Sequence, residues 1–214
     1  MVQLENISKI YKTRRGQVKA LDEISFQVRE GEFVVVRGPS GSGKTTLLLA
    51  IGGMLHPTSG QVFVGEKDIY AMSKRERARF RAENIGFVFQ MFHLVPYLNV
   101  IENTLLASGT RANRSEAEKL LERLGMSGRE HHKPSELSAG ERQRTAIARA
   151  LLNHPRIILA DEPTGNLDPE NAAQVIGYLA EFHRGGGTVV VVTHGVVVDQ
   201  YSDRITYLQG GQVK

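Results

Sequence analysis

Residues 38–45 read Gly-Pro-Ser-Gly-Ser-Gly-Lys-Thr, a spacing of glycines before a lysine and a hydroxyl that suits phosphate binding. The glycines allow a tight turn in which successive N–H groups point at one anion, and a following helix adds its positive N-terminal end. Lys44 would contact the β- and γ-phosphates, and Thr45 would hold Mg²⁺. The alternative is a glycine-rich turn without a ligand. We disfavour it because the apolar run 33–36 precedes the motif and a helical pattern follows at 46–50. The full set of residues predicted to bind the phosphates in this loop is Gly38, Pro39, Ser40, Gly41, Ser42, Gly43, Lys44, Thr45 and Thr46.

Two adjacent acids, Asp161 and Glu162, end the apolar strand predicted at 157–160. Neighbouring strand residues point to opposite faces, so the two carboxylates can take separate tasks. We assign Asp161 to Mg²⁺ and Glu162 to the general base that polarises the attacking water. A strand end with two solvated acids is the alternative, and it loses weight beside a phosphate-binding loop.

A third motif, Ser138-Ala139-Gly140-Glu141, opens the helix predicted to run to residue 152. Ser138 and Glu141 have the spacing of a capping box, which could merely start that helix. Gly140 is not explained in that way, because glycine weakens a helix by about 1 kcal/mol relative to alanine. We therefore expect that something approaches the backbone closely at Gly140.

The elements that carry these motifs predict an α/β fold. Strand-like segments in residues 1–30 predict an antiparallel β edge, with a polar loop at 12–17. Later segments alternate between strand and helix, which predicts a mostly parallel sheet with helices on its faces. Between 90 and 154 the pattern is helical, and we expect an inserted helical lobe there. We therefore predict a single domain over 1–214. Its nucleotide-binding core, with the β subdomain, comprises 1–89 and 155–214.

Composition excludes several classes of protein. Among its 214 residues, 41% are hydrophobic and 23% are charged, so we do not expect a disordered chain. We expect no membrane span either, because the sequence has no long apolar run. Its start lacks the features of a signal peptide, so we expect a cytoplasmic protein. Without cysteine it has no disulfide or thiolate metal site. A net charge of +4 suits acidic ligands, but no nucleic-acid partner is expected from so small an excess.

Together these motifs resemble the ATP-binding subunit of ABC transporters over essentially the whole chain. GPSGSGKT resembles the family's Walker A motif, IILADE its Walker B motif and LSAGE its signature. The resemblance implies three further roles: Gln90 as the Q-loop glutamine that also reaches Mg²⁺, Asp168 as the D-loop aspartate, and His194 as the switch histidine. It also implies that Tyr11 stacks on adenine, although a tyrosine at a strand edge could equally be packing.

The implied mechanism needs two copies of the chain. ATP would lie on the phosphate loop of one subunit, and the signature residues Ser138, Ala139, Gly140 and Glu141 of a second copy would close over its γ-phosphate. Hydrolysis then removes the charge that held this ATP-sandwich dimer. Two positions depart from the family pattern, Ala139 where glycine is usual and Gly195 where aspartate often follows the histidine. Both departures put turnover in doubt more than nucleotide binding.

Residues 162–168 and 89–96 resemble the branch of lipoprotein-releasing and macrolide-export ATPases, which also contains a cell-division ATPase. The implied partner is an integral membrane transporter subunit, with this chain peripheral on the inner face of the cell membrane. The apolar residues that follow Gln90 would dock there, or else pack within the helical lobe; they are Phe92, Leu94, Pro96 and Leu98. An ATP-dependent assembly switch without transport remains the alternative function.

Overall fold

The computed structural model describes residues 1–14, 16–107 and 113–214. Its strands are β1 (Val2–Thr13), β2 (Gly16–Val28), β3 (Phe33–Arg37), β4 (Ser59–Val64), β5 (Lys67–Asp68), β6 (Ile85–Phe89), β7 (Ile157–Asp161), β8 (Thr188–Val192), β9 (Arg204–Gln209) and β10 (Gln212–Val213). Its α-helices are α1 (Lys44–Ile51), α2 (Lys74–Asn84), α3 (Val100–Leu105), α4 (Arg114–Arg123), α5 (Ala139–Leu151) and α6 (Pro169–Arg184). These elements form the predicted α/β fold.

A six-stranded sheet in the order β10-β9-β3-β8-β7-β6 forms the core. All its neighbouring strands are parallel except β9 and β10. Apolar runs in β3, β7 and β8 explain this position, because central parallel strands are buried on both faces. Along β3, Val34 and Val36 belong to a core cluster with α1 and the second sheet, whereas Phe33 and Val35 belong to one with α5 and α6.

The second sheet is antiparallel, in the order β2-β1-β4-β5. The polar loop predicted at 12–17 is wrong in extent, since Lys12 pairs with Gln17 and Thr13 with Gly16. Exposed strands can carry polar side chains on both faces. The polar composition of 12–17 therefore predicted a longer loop than the structure has. Arg15, inside that predicted loop, lies outside the described residues.

Helices α3, α4 and α5 follow one another between β6 and β7, where the sequence predicted helical structure. Helix α5 also packs tightly on the core sheet: a Cβ on Gly86 of β6 would lie 2.7 Å from the carbonyl oxygen of Ala150. The boundaries at 90 and 154 stay a prediction. Across the described ranges of the chain, no helix is long and apolar enough to cross a membrane.

Candidate nucleotide-binding and hydrolysis site

Four parallel strands deliver the predicted site residues to one edge of the core sheet. The phosphate loop follows β3, Gln90 follows β6, Asp161 ends β7 with Glu162 directly after it, and His194 follows β8. Because the carboxyl ends of parallel strands lie at the same edge, these groups meet there. A cavity of about 620 Å³ opens at this edge. It is lined by Ala20, Gly38, Pro39, Ser40, Gly41, Ser42, Gly43, Lys44, Thr45, Thr46, Gln90, Asp161, Glu162 and His194.

The glycines of the loop are required by its backbone. Gly38, Gly41 and Gly43 have φ of 158°, 77° and 105°, in the region that side chains disfavour. A Cβ on Gly38 would lie 2.0 Å from the Leu208 carbonyl oxygen, and one on Gly43 would lie 2.2 Å from that of Ala20. At Gly41 a Cβ would meet nothing within 4 Å. The loop is therefore fixed by packing on both sides and faces open space at Gly41.

The donors of this loop fit a phosphate. The Oγ of Ser42 is buried and finds no hydrogen-bond partner within the described part of the chain, which leaves a hydroxyl to be satisfied. The first N–H groups of α1 have no partner inside the helix and point out of its N-terminus. Lys44 Nζ lies across the loop, where it donates to the carbonyl oxygens of Gly38 at 2.7 Å and Pro39 at 3.0 Å.

Asp161 and Thr45 adjoin each other beneath the loop. Burial raises the pKa of Asp161, while a hydrogen bond from the Thr45 hydroxyl and the charge of Lys44 act in the opposite direction. The neighbouring charge of Glu162 also raises this pKa. A carboxylate disfavoured by burial and placed beside a hydroxyl matches the oxygen ligands that Mg²⁺ prefers. The residues therefore fit the predicted metal.

Glu162 is held in one orientation by the strand next to its own. Its Oε2 accepts a hydrogen bond from the Thr193 hydroxyl at 2.9 Å and from the His194 N–H at 3.3 Å. Its Oε1 lies 2.9 Å from Nδ1 of the His194 ring. The backbone of Glu162 is left-handed, with φ of 45°, an unfavourable conformation for a residue with a side chain. The carboxylate is thus fixed in the lining of the cavity beside the exposed imidazole.

Gln90 lines the same cavity. Its amide packs against Gly165, where a Cβ would lie 2.6 Å from Nε2. The Asn166 side chain donates to the Gln90 carbonyl oxygen at 3.1 Å. The loop after β7 and the loop after β6 are therefore in direct contact.

The motif at Ser138 forms the predicted capping box of α5. The Ser138 Oγ accepts from the Glu141 N–H at 3.2 Å, and Glu141 Oε2 accepts from the Ser138 N–H at 2.8 Å. The close approach expected at Gly140 is found within this chain, since a Cβ there would lie 2.0 Å from Oδ1 of Asn171 in α6. Packing between two helices is thus a sufficient reason for this glycine.

Asp168 caps α6 and also holds Asn171. It accepts from the Asn171 N–H at 2.9 Å and from the Asn171 side-chain amide at 2.6 Å. The first of these bonds is the main cause that lowers the pKa of Asp168. Arg144 of α5 donates to Oδ1 of Asn171 at 2.9 Å. Asp168 is therefore linked to the signature helix through one asparagine.

Tyr11 is not among the residues that line the cavity. It lies on β1, partly exposed, with the Lys9 Nζ 5.4 Å from its ring centre. Its contact with adenine stays a prediction. A larger cavity, of about 780 Å³, lies between α4 and α6. Acids and bases pair on its rim, as Arg123 does with Glu181 at 2.8 Å, so it offers no concentrated charge for a phosphate.

Several residues that support the site carried no motif in the sequence. Thr193 and Asn171 act through hydrogen bonds between elements distant in the chain, which spacing does not reveal. Gln143 is fully buried in α5 and donates to the Pro163 carbonyl oxygen at 2.6 Å. Arg149 donates to the carbonyl oxygens of Phe92 and His93, both at 2.7 Å. For Gln143, the sequence signal that could have been used was a polar residue on an otherwise apolar helix face.

A phosphate-binding loop between a parallel strand and a helix, with an acidic pair on a second strand, defines the class of P-loop nucleoside triphosphatases. The family model described as "ABC transporter" matches residues 21–165. The chain therefore belongs to the ABC transporter family, as an ATP-binding and ATP-hydrolysing subunit.

Relatives agree with that assignment over the full chain. The chain is 42% identical to the uncharacterized ABC transporter ATP-binding protein YvrO of Bacillus subtilis, covering 100% of this chain and 95% of that one. It is also 42% identical to the macrolide export ATP-binding/permease protein MacB of Chlorobaculum tepidum, of which it spans only 33%. The ATP-binding cassette MJ0796, solved as a dimer in a post-hydrolysis state with ADP and Pi, superimposes with a TM-score of 0.94 at 39% identity. That match covers 100% of this chain and 97% of the other.

Proposed function

We propose that this chain hydrolyses ATP between its phosphate loop and Glu162, with Glu162 as the general base and His194 as the group that orients the attack on the γ-phosphate. The observation that carries the proposal is the fixed Glu162 carboxylate, which lines the cavity and is bonded by Thr193 and His194. Glu162 takes the proton of the attacking water, whose oxygen bonds to the γ-phosphorus as the bond to the β-phosphate oxygen breaks. ADP and inorganic phosphate leave.

The phosphates are held by the loop 38–46, with Lys44 moving from the loop carbonyls to the β- and γ-phosphates. Thr45, Asp161 and Gln90 would hold Mg²⁺, directly or through water. When bound, Mg²⁺ neutralises charge that develops on the phosphate oxygens. The hydrogen bond from Thr45 to Asp161 supports this set, and a nearby divalent cation would stabilise the ionised carboxylate that burial disfavours.

A second copy of the chain completes each site in this proposal. At the start of α5, Ser138 is exposed, Ala139 and Glu141 are half-buried and Gly140 is buried; none of the four is among the described residues lining the cavity of their own chain. The exposed helix end at Ser138 is thus available to a neighbouring copy, where the amides of the capped helix end would face a γ-phosphate. The dimeric state of MJ0796 supports this arrangement. Asp168 would lie at the same interface.

The membrane partner would dock on the loop after Gln90. Its large exposed side chains include Met91 at 67% and Tyr97 at 75%. Of the predicted contacts, Pro96 is exposed, whereas Phe92, Leu94 and Leu98 are partly buried. Such exposed aromatic and methionine side chains are enriched at protein interfaces. The resemblance to MacB, whose name joins ATP-binding and permease functions, supports a permease of the export or release type. The chain then works at the cytoplasmic face of the membrane.

Glu162→Gln tests the hydrolytic part of the proposal. We expect turnover to fall at least about 100-fold, because a positioned base contributes that much, while ATP is still bound. The molar mass by light scattering should double with Mg-ATP. Glu170→Gln, in the exposed first turn of α6, is the matched control. Full activity of Glu162→Gln would refute the assigned base, and a monomer with bound ATP would refute the dimer.

The same variant, locked with ATP, can identify the partner. It would be isolated from detergent-solubilised native membranes and its companions named by mass spectrometry. A permease with a large extracytoplasmic domain is expected, whereas division-machinery proteins would favour the assembly switch. Tyr97→Ala should lose the companion, whereas Tyr207→Ala, which removes another exposed tyrosine on β9, should keep it. Recovery of no membrane protein would refute the partner.

A further inference from the structure

Arg37 is a nearly buried cation next to the phosphate loop. It ends β3, directly before Gly38, and its side chain is only 15% exposed. The Nη2 atom donates to the carbonyl oxygen of Gly195 at 3.0 Å and to Oδ1 of Asp199 at 2.5 Å. The Nε atom is buried and has no partner anywhere in the described ranges. Burying a guanidinium with an unpaired N–H costs free energy, so the two bonds that Arg37 does make need an explanation.

The two acceptors of Arg37 lie in the loop that carries the proposed switch histidine. Gly195 follows His194 directly, and its N–H donates to Thr193 Oγ1 at 3.0 Å. The Thr193 hydroxyl in turn donates to the Glu162 carboxylate at 2.9 Å. The peptide groups on both sides of Gly195 are thus fastened, one by Thr193 and one by Arg37.

Among the described residues, few other contacts hold this loop. Val196 and Val197 are 66% and 47% exposed, so their side chains contribute little packing. Val198 is buried, and Asp199 begins the short 3₁₀ helix Asp199–Tyr201. Between His194 and Val198, the described bonds that tie the loop to the rest of the protein are therefore those of Gly195, its N–H to Thr193 and its carbonyl to Arg37.

We propose that Arg37 is a positioning residue for hydrolysis, which keeps the ring of His194 at Glu162 by holding the Gly195 carbonyl and Asp199. The inference rests on the proposed roles of Glu162 and His194. Arg37 points away from the loop backbone that binds phosphate, toward residues 195–199. Loss of its side chain should therefore lower kcat while leaving the KM for ATP nearly unchanged.

The test is Arg37→Ala in steady-state ATPase assays on the full chain. We expect kcat to fall about 10- to 100-fold, the effect of misplacing a reacting group by about 1 Å, with KM changed less than about twofold. Methylguanidinium in solution should restore part of kcat in a saturable way. Asp199→Ala should lower kcat by less, and adding it to Arg37→Ala should cost little more, because both remove one link.

Arg204→Ala is the matched control. Arg204 lies on β9 of the same sheet and pairs with Glu32 at 2.8 Å, away from the loop of His194. It should lose stability without losing kcat and should show no rescue. An Arg37→Ala protein with normal kcat, or with raised KM alone, would overturn the proposal. If Arg37→Ala does not fold, Asp199→Ala decides, and an unchanged kcat there overturns it equally. Activity retained by Glu162→Gln would instead refute the underlying base assignment.

Discussion

Gly140→Ala should destabilise this protein, although alanine is the better helix former. The new Cβ would lie 2.0 Å from Oδ1 and 2.4 Å from Cγ of Asn171. Asn171 cannot rotate away freely, because its amide donates to Asp168 at 2.6 Å and its Oδ1 accepts from Arg144 at 2.9 Å. The clash therefore forces α5 and α6 apart or breaks those bonds.

The expected magnitude is a difference between two effects. Overpacking costs about 1–3 kcal/mol, and a 2.0 Å overlap belongs near the upper end. Alanine in place of glycine within a helix returns about 1 kcal/mol. The net loss should be about 2 kcal/mol in the free energy of unfolding. When Asn171 is first changed to alanine, the overlap disappears and Gly140→Ala should stabilise by about 1 kcal/mol.

Urea unfolding of four proteins measures this: wild type, Gly140→Ala, Asn171→Ala and the double variant. The reasoning requires a change of sign between the two backgrounds, with similar m-values throughout. Stabilisation by Gly140→Ala in the wild-type background would refute the packing argument. Equal destabilisation in both backgrounds would show that Asn171 is not the obstacle.

Three further predictions concern the site. Because burial raises the pKa of Asp161, its carboxylate takes up a proton at a higher pH than an ordinary aspartate does. The Mg²⁺ concentration needed for ATPase activity should therefore begin to rise at that higher pH as the solution is acidified. Asp161→Asn should need a high Mg²⁺ concentration at every pH. The hydrogen bond from the Ser138 N–H is the main cause that lowers the pKa of Glu141. This cap therefore stabilises the folded protein fully at pH values above the unfolded pKa of about 4.3, and that stabilisation is lost as pH falls through the folded pKa. The difference in urea midpoint between wild type and Glu141→Gln should therefore shrink in acid. If Tyr11 stacks on adenine, Tyr11→Leu should weaken ATP binding in calorimetry and Tyr11→Phe should not, whereas equal affinities would indicate packing alone.

The sequence could predict this fold because its strongest signals are local. The buried run Phe33–Val36 and the helix at Lys44 fix the phosphate loop between them, and alternating segments specify the parallel sheet. The hairpin at 12–17 was misjudged for the opposite reason. Its strands are exposed and polar, so pairing between neighbours, rather than burial, determines where they end.

The residues that fix the catalytic groups could not be read in the same way. Arg37 and Gly195 are 158 residues apart in the chain, and Gln90 and Asn166 are 76 apart. Such contacts arise only when parallel strands bring their carboxyl ends to one edge. For Gly140 the sequence predicted a close approach to the backbone, and the fold shows Asn171 at that place; contact with a second copy's ATP stays a prediction.

Helix α5 is fastened to three separate parts of the site, and this limits how it can move. Near the start of α5, Arg144 donates to Asn171. Gln143 donates to the carbonyl oxygen of Pro163, the residue after Glu162. Near the end of α5, Arg149 donates to the loop after Gln90. Phe92, one residue of that loop, has a left-handed φ of 61°, a conformation that relaxes unless something holds it. A displacement of α5 must therefore either break these bonds or carry the loops with it. Because the bonds involve buried or charged groups, carrying the loops costs less. The start of α5, which would meet a second copy's ATP, and the loop that would meet the membrane partner should then move together.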